Sequence, residues 1–307
     1  MKILVTGGAG FIASQIADAF INEGHEVHIL DNLSTGFKEN TNPKAKFIQA
    51  DISTRDITEI FAKEKYDVIN HHAAQIDVRK SVADPVFDAN TNILGSINLL
   101  QASIKTGVKR FMFASTGGAI YGEQEYFPAD EFHPTKPVSP YGITKLSIEK
   151  YLYFYMNEYG LNYTILRYAN VYGPRQNPFG EAGVVAIFAN KLLKNDNPVI
   201  NGEGKQTRDY VFVEDVVKAN VLTLTSSGSD IYNVGTGIET SVNELFTKLN
   251  WIAGNKATEK HGPAPKGEQM RSVITSEKLF KKFNWKPSVK IEEGLQKTFD
   301  SFKSKSA

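Results

Sequence analysis

The 307-residue sequence contains no cysteine, which excludes disulfides, thiol catalysis and thiolate metal sites. Its formal net charge is only +1, so it lacks the positive field that nucleic acids or acidic membranes require of a partner. It also lacks an apolar run approaching the roughly 20 residues of a membrane span. A strand-like run begins directly after Met1, so no signal peptide is expected. We therefore expect a cytoplasmic protein that binds neither nucleic acid nor membranes.

The most informative segment is the N-terminal one, where a buried-strand run at Ile3, Leu4 and Val5 leads into a glycine-rich turn. Its G-x-x-G-x-x-A pattern, residues 7–13, lets the backbone approach a pyrophosphate at the N-terminus of the next helix. A second strand, EVHILD at 26–31, ends in Asp31, 24 residues after Gly7. A carboxylate at about that separation accepts hydrogen bonds from an adenine ribose. The pattern predicts a dinucleotide site.

Strand-like and helical patterns then alternate along the chain. Strands are predicted at 46–50, 67–71, 110–115 and 162–167, and helices at 54–65, 85–106 and 140–159. This alternation is typical of an α/β fold with a doubly wound parallel sheet. Elements shorten after about residue 170, so we expect a dinucleotide-binding domain at 1–170 and a smaller substrate lobe at 171–307. Strands near 208–213 and 231–234 could belong to either unit.

Tyr141 and Lys145 have the Y-x-x-x-K spacing, which places both side chains on one helical face. A lysine ammonium there favours the phenolate and so allows tyrosine, whose ordinary pKa is near ~10, to act as a base. Upstream, Ser115 and Thr116 end a buried strand at the sheet edge where open α/β sheets bind ligands.

Several longer motifs occur in order along nearly the whole chain. They are TGGAGFI (6–12), LDNLSTG (30–36), HHAAQ (71–75), STGGAIYG (115–122), SPYGITK (139–145), RYANVYGPR (167–175), GEGKQTRDY (202–210), YNVGTG (232–237) and NWKP (284–287). Together they resemble the extended short-chain dehydrogenase/reductases, specifically the nucleotide-sugar epimerases of the UDP-galactose 4-epimerase type. The resemblance implies a Rossmann-type fold.

The resemblance implies roles for three residues in catalysis. Tyr141 corresponds to the acid/base and Lys145 to its electrostatic partner. Thr116, which precedes Tyr141 by the family's 25 residues, corresponds to the hydroxyl that binds the reacting sugar oxygen, with Ser115 as the fallback.

The resemblance also implies NAD as cofactor, and Asp31 favours NAD over NADP because a carboxylate repels a 2′-phosphate. The implied cofactor-binding residues are Gly7, Gly10, Phe11, Ile12, Asp31, Asn32, Ser34, Gly36, Asp51, Ile52, Ala73, Ala74, Gln75, Asn92, Ser115, Tyr141, Lys145 and Tyr168.

The implied substrate is a UDP-sugar, and Arg208 is the best candidate for its diphosphate. The implied substrate-binding residues are Thr116, Asn170, Val184, Val185, Ile200, Arg208, Arg271 and Ser272. Many relatives have Arg-x-Gly-Glu where this chain has PKGE at 265–268, so Lys266 or Arg271 would replace a second phosphate-binding arginine. Ser272 corresponds to a residue beside the substituent on the sugar C2.

The function expected from this resemblance is redox-neutral 4-epimerisation of a UDP-hexose, UDP-galactose or UDP-glucose. Alternatives are UDP-N-acetylglucosamine or UDP-glucuronate as substrate, a dehydratase, or a non-catalytic NAD or nucleotide-sugar sensor. The dehydratases carry Thr-Asp-Glu at the strand end, whereas this chain has Thr116-Gly117-Gly118.

Two further expectations concern metals and assembly. The adjacent His71 and His72 would point to opposite faces of a strand with no acidic cluster nearby, so no metal site is expected. The helices at 85–106 and 143–159 are too apolar to cover one face only. Relatives pair two such helices per subunit as a four-helix bundle, so we expect a homodimer with a two-fold interface.

Overall fold

The computed structural model describes residues 1–54, 57–179, 183–264 and 269–306, and its centre is a seven-stranded parallel sheet. The strands along the chain are β1 (Lys2–Thr6), β2 (Glu26–Asp31), β3 (Lys46–Gln49), β4 (Val68–His71), β5 (Arg110–Thr116), β6 (Asn162–Tyr168), β7 (Asn170–Tyr172), β8 (Val199–Asn201), β9 (Thr207–Phe212), β10 (Asp230–Val234), β11 (Glu239–Ser241), β12 (Lys260–Gly262) and β13 (Arg271–Ser272). The central sheet has the order β10-β6-β5-β4-β1-β2-β3. The order reverses between β1 and β4, which confirms the doubly wound fold and creates a ligand-binding crevice at their carboxyl ends.

Helices cover both faces of this sheet. They are α1 (Phe11–Asn22), α2 (Ile57–Glu64), α3 (Val78–Ala83), α4 (Pro85–Ala89), α5 (Gly95–Thr106), α6 (Pro140–Tyr159), α7 (Val184–Leu193), α8 (Val213–Thr223), α9 (Val242–Ile252), α10 (Glu277–Phe283) and α11 (Ile291–Ser306). The apolar cluster on one face includes Leu99 of α5 and Ile148 of α6, and that on the other includes Ile16 of α1. No described helix is long and apolar enough to cross a membrane. The cytoplasmic location stays a prediction.

The single helix predicted at 85–106 is interrupted. Residues 90–94 form a π-helical turn between α4 and α5, and this turn buries Asn92. The short helix α3, which the sequence pattern missed, precedes it and is capped by the Asp77 carboxylate, which accepts a hydrogen bond from the Lys80 backbone N–H. The six residues of α3 are too few to show a helical period in the sequence. The π-helical turn inserts a single residue into the helix, which leaves no clear trace in the apolar pattern.

A second unit contains the remaining strands. β7, β9, β11 and β13 form one small sheet and β8 pairs with β12, while α7, α9 and α11 share an apolar cluster beside them. The sequence did not assign the strands near 208–213 and 231–234 to either unit. Of these two, β10 joins the central sheet, where it pairs with β6. β9 does not, because β10 occupies the free edge of β6. The domain boundary at 170 stays a prediction, since the chain returns to the first unit at α8 and β10.

Helix α6 is attached to the sheet by a buried ion pair. The Arg167 guanidinium of β6 lies 2.6 Å and 3.0 Å from the two carboxylate oxygens of Glu149. The Ser115 hydroxyl of β5 donates to the same carboxylate at 2.6 Å, and Arg167 also donates to the Tyr121 hydroxyl at 3.0 Å. The Glu149 and Arg167 side chains are 2% and 4% exposed, so water cannot replace either partner.

We expect Glu149→Ala to lower the free energy of unfolding by about 3–5 kcal/mol, because it leaves the Arg167 charge buried and unpaired. Urea unfolding followed by circular dichroism measures the change. The matched control is Glu158→Ala, an exposed glutamate on the same helix, which should change stability by less than about 0.5 kcal/mol. Equal losses in the two variants would show that the ion pair does not hold α6.

Candidate active site

The glycine-rich turn fits a pyrophosphate. Gly7 has φ +68°, and a Cβ there would lie 2.7 Å from the Ala73 backbone nitrogen, so only glycine lets β1 and β4 approach this closely. Helix α1 follows with Gly10 at its N-cap, no side-chain cap and no acidic residue in its first turn. Phe11 and Ile12 start the helix, and their backbone N–H groups lie in the first turn, where they have no helical acceptors and can bind an anion.

The predicted ribose-binding acid lies beside this turn. One Asp31 carboxylate oxygen accepts the Ala9 N–H at 3.0 Å, and the other accepts the Leu33 N–H at 2.8 Å. Asn32 donates to Asp51 at 2.8 Å, which links the ends of β2 and β3. Asp31, Asn32 and Asp51 thus lie together at the carboxyl ends of β2 and β3.

The remaining cofactor residues of the β2 side lie in the same region. The Ser34 backbone N–H donates to the Asn32 side chain at 2.9 Å. A Cβ on Gly36 would lie 3.0 Å from Ala9, so the loop after β2 packs against the glycine-rich turn. Ile52 is buried beneath Gly95 of α5.

On the β4 side, Ala73 and Ala74 follow the strand, and the next two predicted residues are part of a buried polar network. The Gln75 backbone N–H donates to the Asn92 side chain at 2.8 Å, and both side chains donate to Asp88 at 2.8 and 3.1 Å. The Thr144 hydroxyl of α6 also donates to Asp88, at 3.0 Å. Gln75 and Asn92 therefore connect the π-helical turn to α6.

The two adjacent histidines bond to neutral side chains. His71 lies 2.7 Å from the Thr6 hydroxyl and 2.8 Å from the Ser96 hydroxyl. His72 lies 3.1 Å from the Tyr168 hydroxyl, and burial, with a smaller effect from the Lys145 charge, lowers the His72 pKa to about 3. Both are therefore neutral imidazoles that pack behind the crevice. Within the described residues, no group of three His, Asp or Glu side chains could hold a metal ion.

The Tyr141–Lys145 pair lies at the start of α6. The Ser139 hydroxyl caps the helix by accepting the Gly142 N–H at 3.2 Å. Lys145 is 4% exposed, and its ammonium lies 5.9 Å from the Tyr141 ring centroid and donates to the Ala114 carbonyl at 2.9 Å. Burial lowers the Lys145 pKa to about 8, with the nearby Asp88 acting in the opposite direction. A fixed, largely desolvated ammonium beside a phenol is the arrangement that favours phenolate.

The two strand-end hydroxyls have different surroundings. Ser115 is buried, and its hydroxyl donates to Glu149. Its roles as fallback catalytic hydroxyl and as cofactor ligand stay predictions. The Thr116 hydroxyl has no hydrogen-bond partner among the described residues, and it lies near the Asn170 side chain across the space beside Gly118. Thr116 and Asn170 thus face a common opening.

The predicted phosphate ligand Arg208 is free of carboxylates. Its guanidinium donates to the Thr207 carbonyl at 2.8 Å, and it forms no ion pair within the described part of the chain. The neighbouring Asp209 points away and accepts hydrogen bonds from Thr236 and Gly237. Burial raises the Asp209 pKa to about 6, against the effect of these hydrogen bonds.

The second candidate arginine is already paired. Arg271 lies 2.8 Å and 3.0 Å from the Glu239 carboxylate oxygens, and its guanidinium stacks 3.7 Å from the Phe127 ring centroid. A phosphate role for Arg271 would require this pair to open. Lys266, the other candidate, and the PKGE segment lie outside the described residues.

The last predicted substrate residues lie in the second unit. Ser272 of β13 is 4% exposed and pairs in register with Arg208 of β9. Val184 is the first residue of α7, whereas Val185 and Ile200 are buried in the apolar cluster of that unit. Ser272 is thus the neighbour of Arg208 across the two strands.

Comparison with known proteins identifies the family. The family model "NAD dependent epimerase/dehydratase family" matches residues 3–235. The chain belongs to this family. It is 47% identical over 302 residues to the putative UDP-glucose 4-epimerase of Methanocaldococcus jannaschii, with 98% of each chain covered.

Two solved structures are similar over nearly the whole chain. The UDP-glucose 4-epimerase of Thermotoga maritima, solved with UDP-glucose, has a TM-score of 0.98 and 48% identity, and both chains are covered completely. The Thermus thermophilus UDP-glucose 4-epimerase in complex with NAD has a TM-score of 0.93 and 43% identity, with 98% of this chain and 99% of that chain covered. The predicted membership of the extended short-chain dehydrogenase/reductases is confirmed, and the protein is an NAD-dependent enzyme of the epimerase type.

The described residues fit NAD. The turn at Gly7 has no room for a side chain, the first turn of α1 carries no acid that would repel a pyrophosphate, and Asp31 lies beside both. A bound NAD supplies an acceptor and donor of hydride at the carboxyl edge of the sheet.

We expect Gly7→Ala to weaken NAD binding by more than tenfold, a loss of about 1.4 kcal/mol or more, because the methyl group would collide with the Ala73 backbone. The control is Gly24→Ala, which has a similar φ of +83° but no atom within 4 Å of the added methyl group. The NAD content of the purified variants, and titration of NAD-free protein, measure the effect. Equal NAD affinity in the two variants would contradict the assigned turn.

Proposed function

We propose that the protein is a UDP-hexose 4-epimerase that interconverts UDP-galactose and UDP-glucose with NAD retained in the site. The observation that carries this proposal is the position of the Lys145 ammonium, which lies 5.9 Å from the Tyr141 ring centroid and donates to the Ala114 carbonyl, two residues before Thr116 at the carboxyl end of β5. Gly117 and Gly118 follow Thr116, so this strand end supplies no carboxyl group to eliminate water. This favours epimerisation over dehydration.

In the proposed reaction, Tyr141 removes the proton from the sugar C4 hydroxyl, and the Lys145 ammonium stabilises the phenolate. The Thr116 hydroxyl donates a hydrogen bond to the same sugar oxygen. The C4–H and O–H bonds break and a C4 ketone forms, for which a bound NAD would be the acceptor of the hydride. After the keto sugar has rotated in the site, the hydride would return from the same NAD to the opposite face of C4, and Tyr141 returns the proton to the sugar oxygen. The sugar is therefore neither oxidised nor reduced overall.

The nucleotide diphosphate is assigned to Arg208. Its guanidinium pairs with no carboxylate of the described residues, so binding a diphosphate breaks no ion pair among them. Asn170 lies between this arginine's unit and the Thr116 opening and would contact the sugar–phosphate junction. The Thermotoga maritima relative, which was solved with UDP-glucose, supports a UDP-sugar as the substrate class.

We expect Tyr141→Phe to reduce turnover by about 10²–10⁴-fold, because it removes the proton acceptor. NAD content should stay normal. The control is Tyr159→Phe, an exposed tyrosine at the end of the same helix, which should keep full activity. Turnover is measured by chromatographic separation of UDP-glucose from UDP-galactose. Near-normal turnover by the Tyr141 variant would refute the assignment.

A second candidate substrate is UDP-N-acetylglucosamine. Ser272 is small, and the resemblance places it beside the C2 substituent, so the wild type should turn over the N-acetyl sugar as well. Ser272→Tyr should abolish that activity and spare the plain hexose, because steric exclusion discriminates sharply in a packed pocket. Ser272→Ala is the control and should keep both activities. A wild type that accepts only UDP-glucose and UDP-galactose would contradict this prediction.

The protein is proposed to form a homodimer through α4, α5 and α6. Apolar side chains on α4, on the π-helical turn and on α6 face solvent: Val86 is 68% exposed, Leu94 51% and Phe154 49%. Light scattering should give about twice the 34.1 kDa chain mass. Val86→Glu should shift the protein toward monomer, whereas Val138→Glu, at a similarly exposed loop valine, should not. A monomeric wild type at micromolar concentration would rule the dimer out.

A further inference from the structure

Arg175 lies in the loop that follows β7 of the second unit, but its side chain contacts α1 and the loop after β2. One guanidinium nitrogen lies 2.8 Å from the Asp18 carboxylate of α1. Another donates to the Ser14 hydroxyl of α1 at 3.1 Å and to the Asn40 carbonyl at 3.4 Å. A single side chain therefore joins three parts of the chain: the β7 loop, α1 and the loop after β2.

The backbone of Arg175 supports a specific role for these contacts. Its φ is +68°, a left-handed conformation that residues other than glycine rarely adopt. Such a conformation persists only when surrounding contacts hold it. A second contact fixes the same loop, since the Gln15 side-chain amide of α1 donates to the Pro174 carbonyl at 3.0 Å.

The loop after β2 lies over the glycine-rich turn, and we refer to its residues 36–42 as the strap. The Phe37 N–H and the Asn40 side chain both donate to the Ala9 carbonyl, at 3.0 and 3.2 Å. The Asn42 side chain donates at 2.8 Å to the Asp18 oxygen that Arg175 leaves free. Asp18 is thus shared between the strap and Arg175.

We propose that Arg175 is a positioning residue that locks the strap and the β7 loop onto α1, so that NAD cannot leave without breaking this junction. In a redox-neutral reaction the same NAD must accept and return the hydride, so slow release of NAD is a requirement. The β7 loop leads on to α7 and the substrate side. UDP binding there stabilises the junction and slows NAD release further. The need for slow release and the UDP effect rest on the proposed function, whereas the Arg175 junction itself does not.

An ordinary, partly exposed ion pair would contribute little, and the Arg175 and Asp18 side chains are 31% and 25% exposed. The junction differs from such a pair because Arg175 has three acceptors in two other segments and an unfavourable backbone conformation. Its contribution is therefore expected in the rate of NAD release more than in the stability of the whole chain.

The test measures exchange of bound NAD for labelled NAD in the purified holoenzyme, a readout that needs no turnover. Arg175→Ala and Asp18→Ala should each accelerate exchange by about tenfold, and the double variant should exchange no faster than the single variants, because the two residues act as a unit. Lys205→Ala, which removes an ion pair with Glu203 that is 73% and 78% exposed, is the control and should exchange at the wild-type rate. UDP should slow exchange in the wild type and not in Arg175→Ala.

Wild-type exchange in Arg175→Ala, or additive effects in the double variant, would overturn the proposal. If Arg175→Ala is too unstable to isolate with NAD bound, the conservative Arg175→Lys decides the question, because it keeps the charge but loses the fork that reaches three acceptors, and it should exchange faster than the wild type. If UDP fails to slow exchange in the wild type while Arg175→Ala still exchanges faster than the wild type, the result would count against the proposed UDP-sugar function. The Arg175 junction would still be supported.

Discussion

The orientation of α6 on the sheet is the constraint on which the rest of the site depends. Tyr141, Lys145 and Glu149 are spaced four residues apart and therefore share one helical face. Glu149 fixes that face against β6 through Arg167, and Lys145 fixes it against β5 through the Ala114 carbonyl. With two points fixed, Tyr141 is positioned at the carboxyl edge. The same contacts occupy the Ser115 hydroxyl, whereas the Thr116 hydroxyl has no hydrogen-bond partner among the described residues.

The proposed NAD side of the crevice is built by a second set of contacts. Asp31 accepts backbone N–H groups from the glycine-rich turn and from the loop after β2, so it links the two segments. The junction at Arg175 and Asp18 extends these links to the β7 loop. On the proposed diphosphate side, Arg208 donates to the Thr207 carbonyl and forms no ion pair among the described residues.

Much of the fold follows from local sequence signals. Apolar runs predicted the strands of the central sheet, and Gly7 with Asp31 predicted the dinucleotide turn, because these features depend on residues close in the chain or on a fixed spacing. The Tyr141–Lys145 pair was visible for the same reason. Glu149 could have been added, since it continues the same four-residue spacing.

What the sequence did not reveal depends on contacts between distant segments. The hydrogen bond that occupies Ser115 is to Glu149, 34 residues away, and Arg167 binds the same carboxylate. The pairing of Arg271 with Glu239 joins segments 32 residues apart, and β9 pairs with β7, β11 and β13 and not with the central sheet. The interrupted helix at 90–94 depends on the network around Asp88.

In the proposed reaction, the chain moves a hydride from the sugar C4 and returns it to the same carbon without releasing NAD. An isotope experiment tests this: UDP-galactose that carries deuterium at C4 is supplied to the NAD-loaded protein in ordinary water, and the label is followed in the product. We expect UDP-glucose that keeps its deuterium at C4, formed over many turnovers without added NAD. Loss of the label to solvent, or turnover that stops after one equivalent unless NAD is supplied, would contradict the proposed reaction.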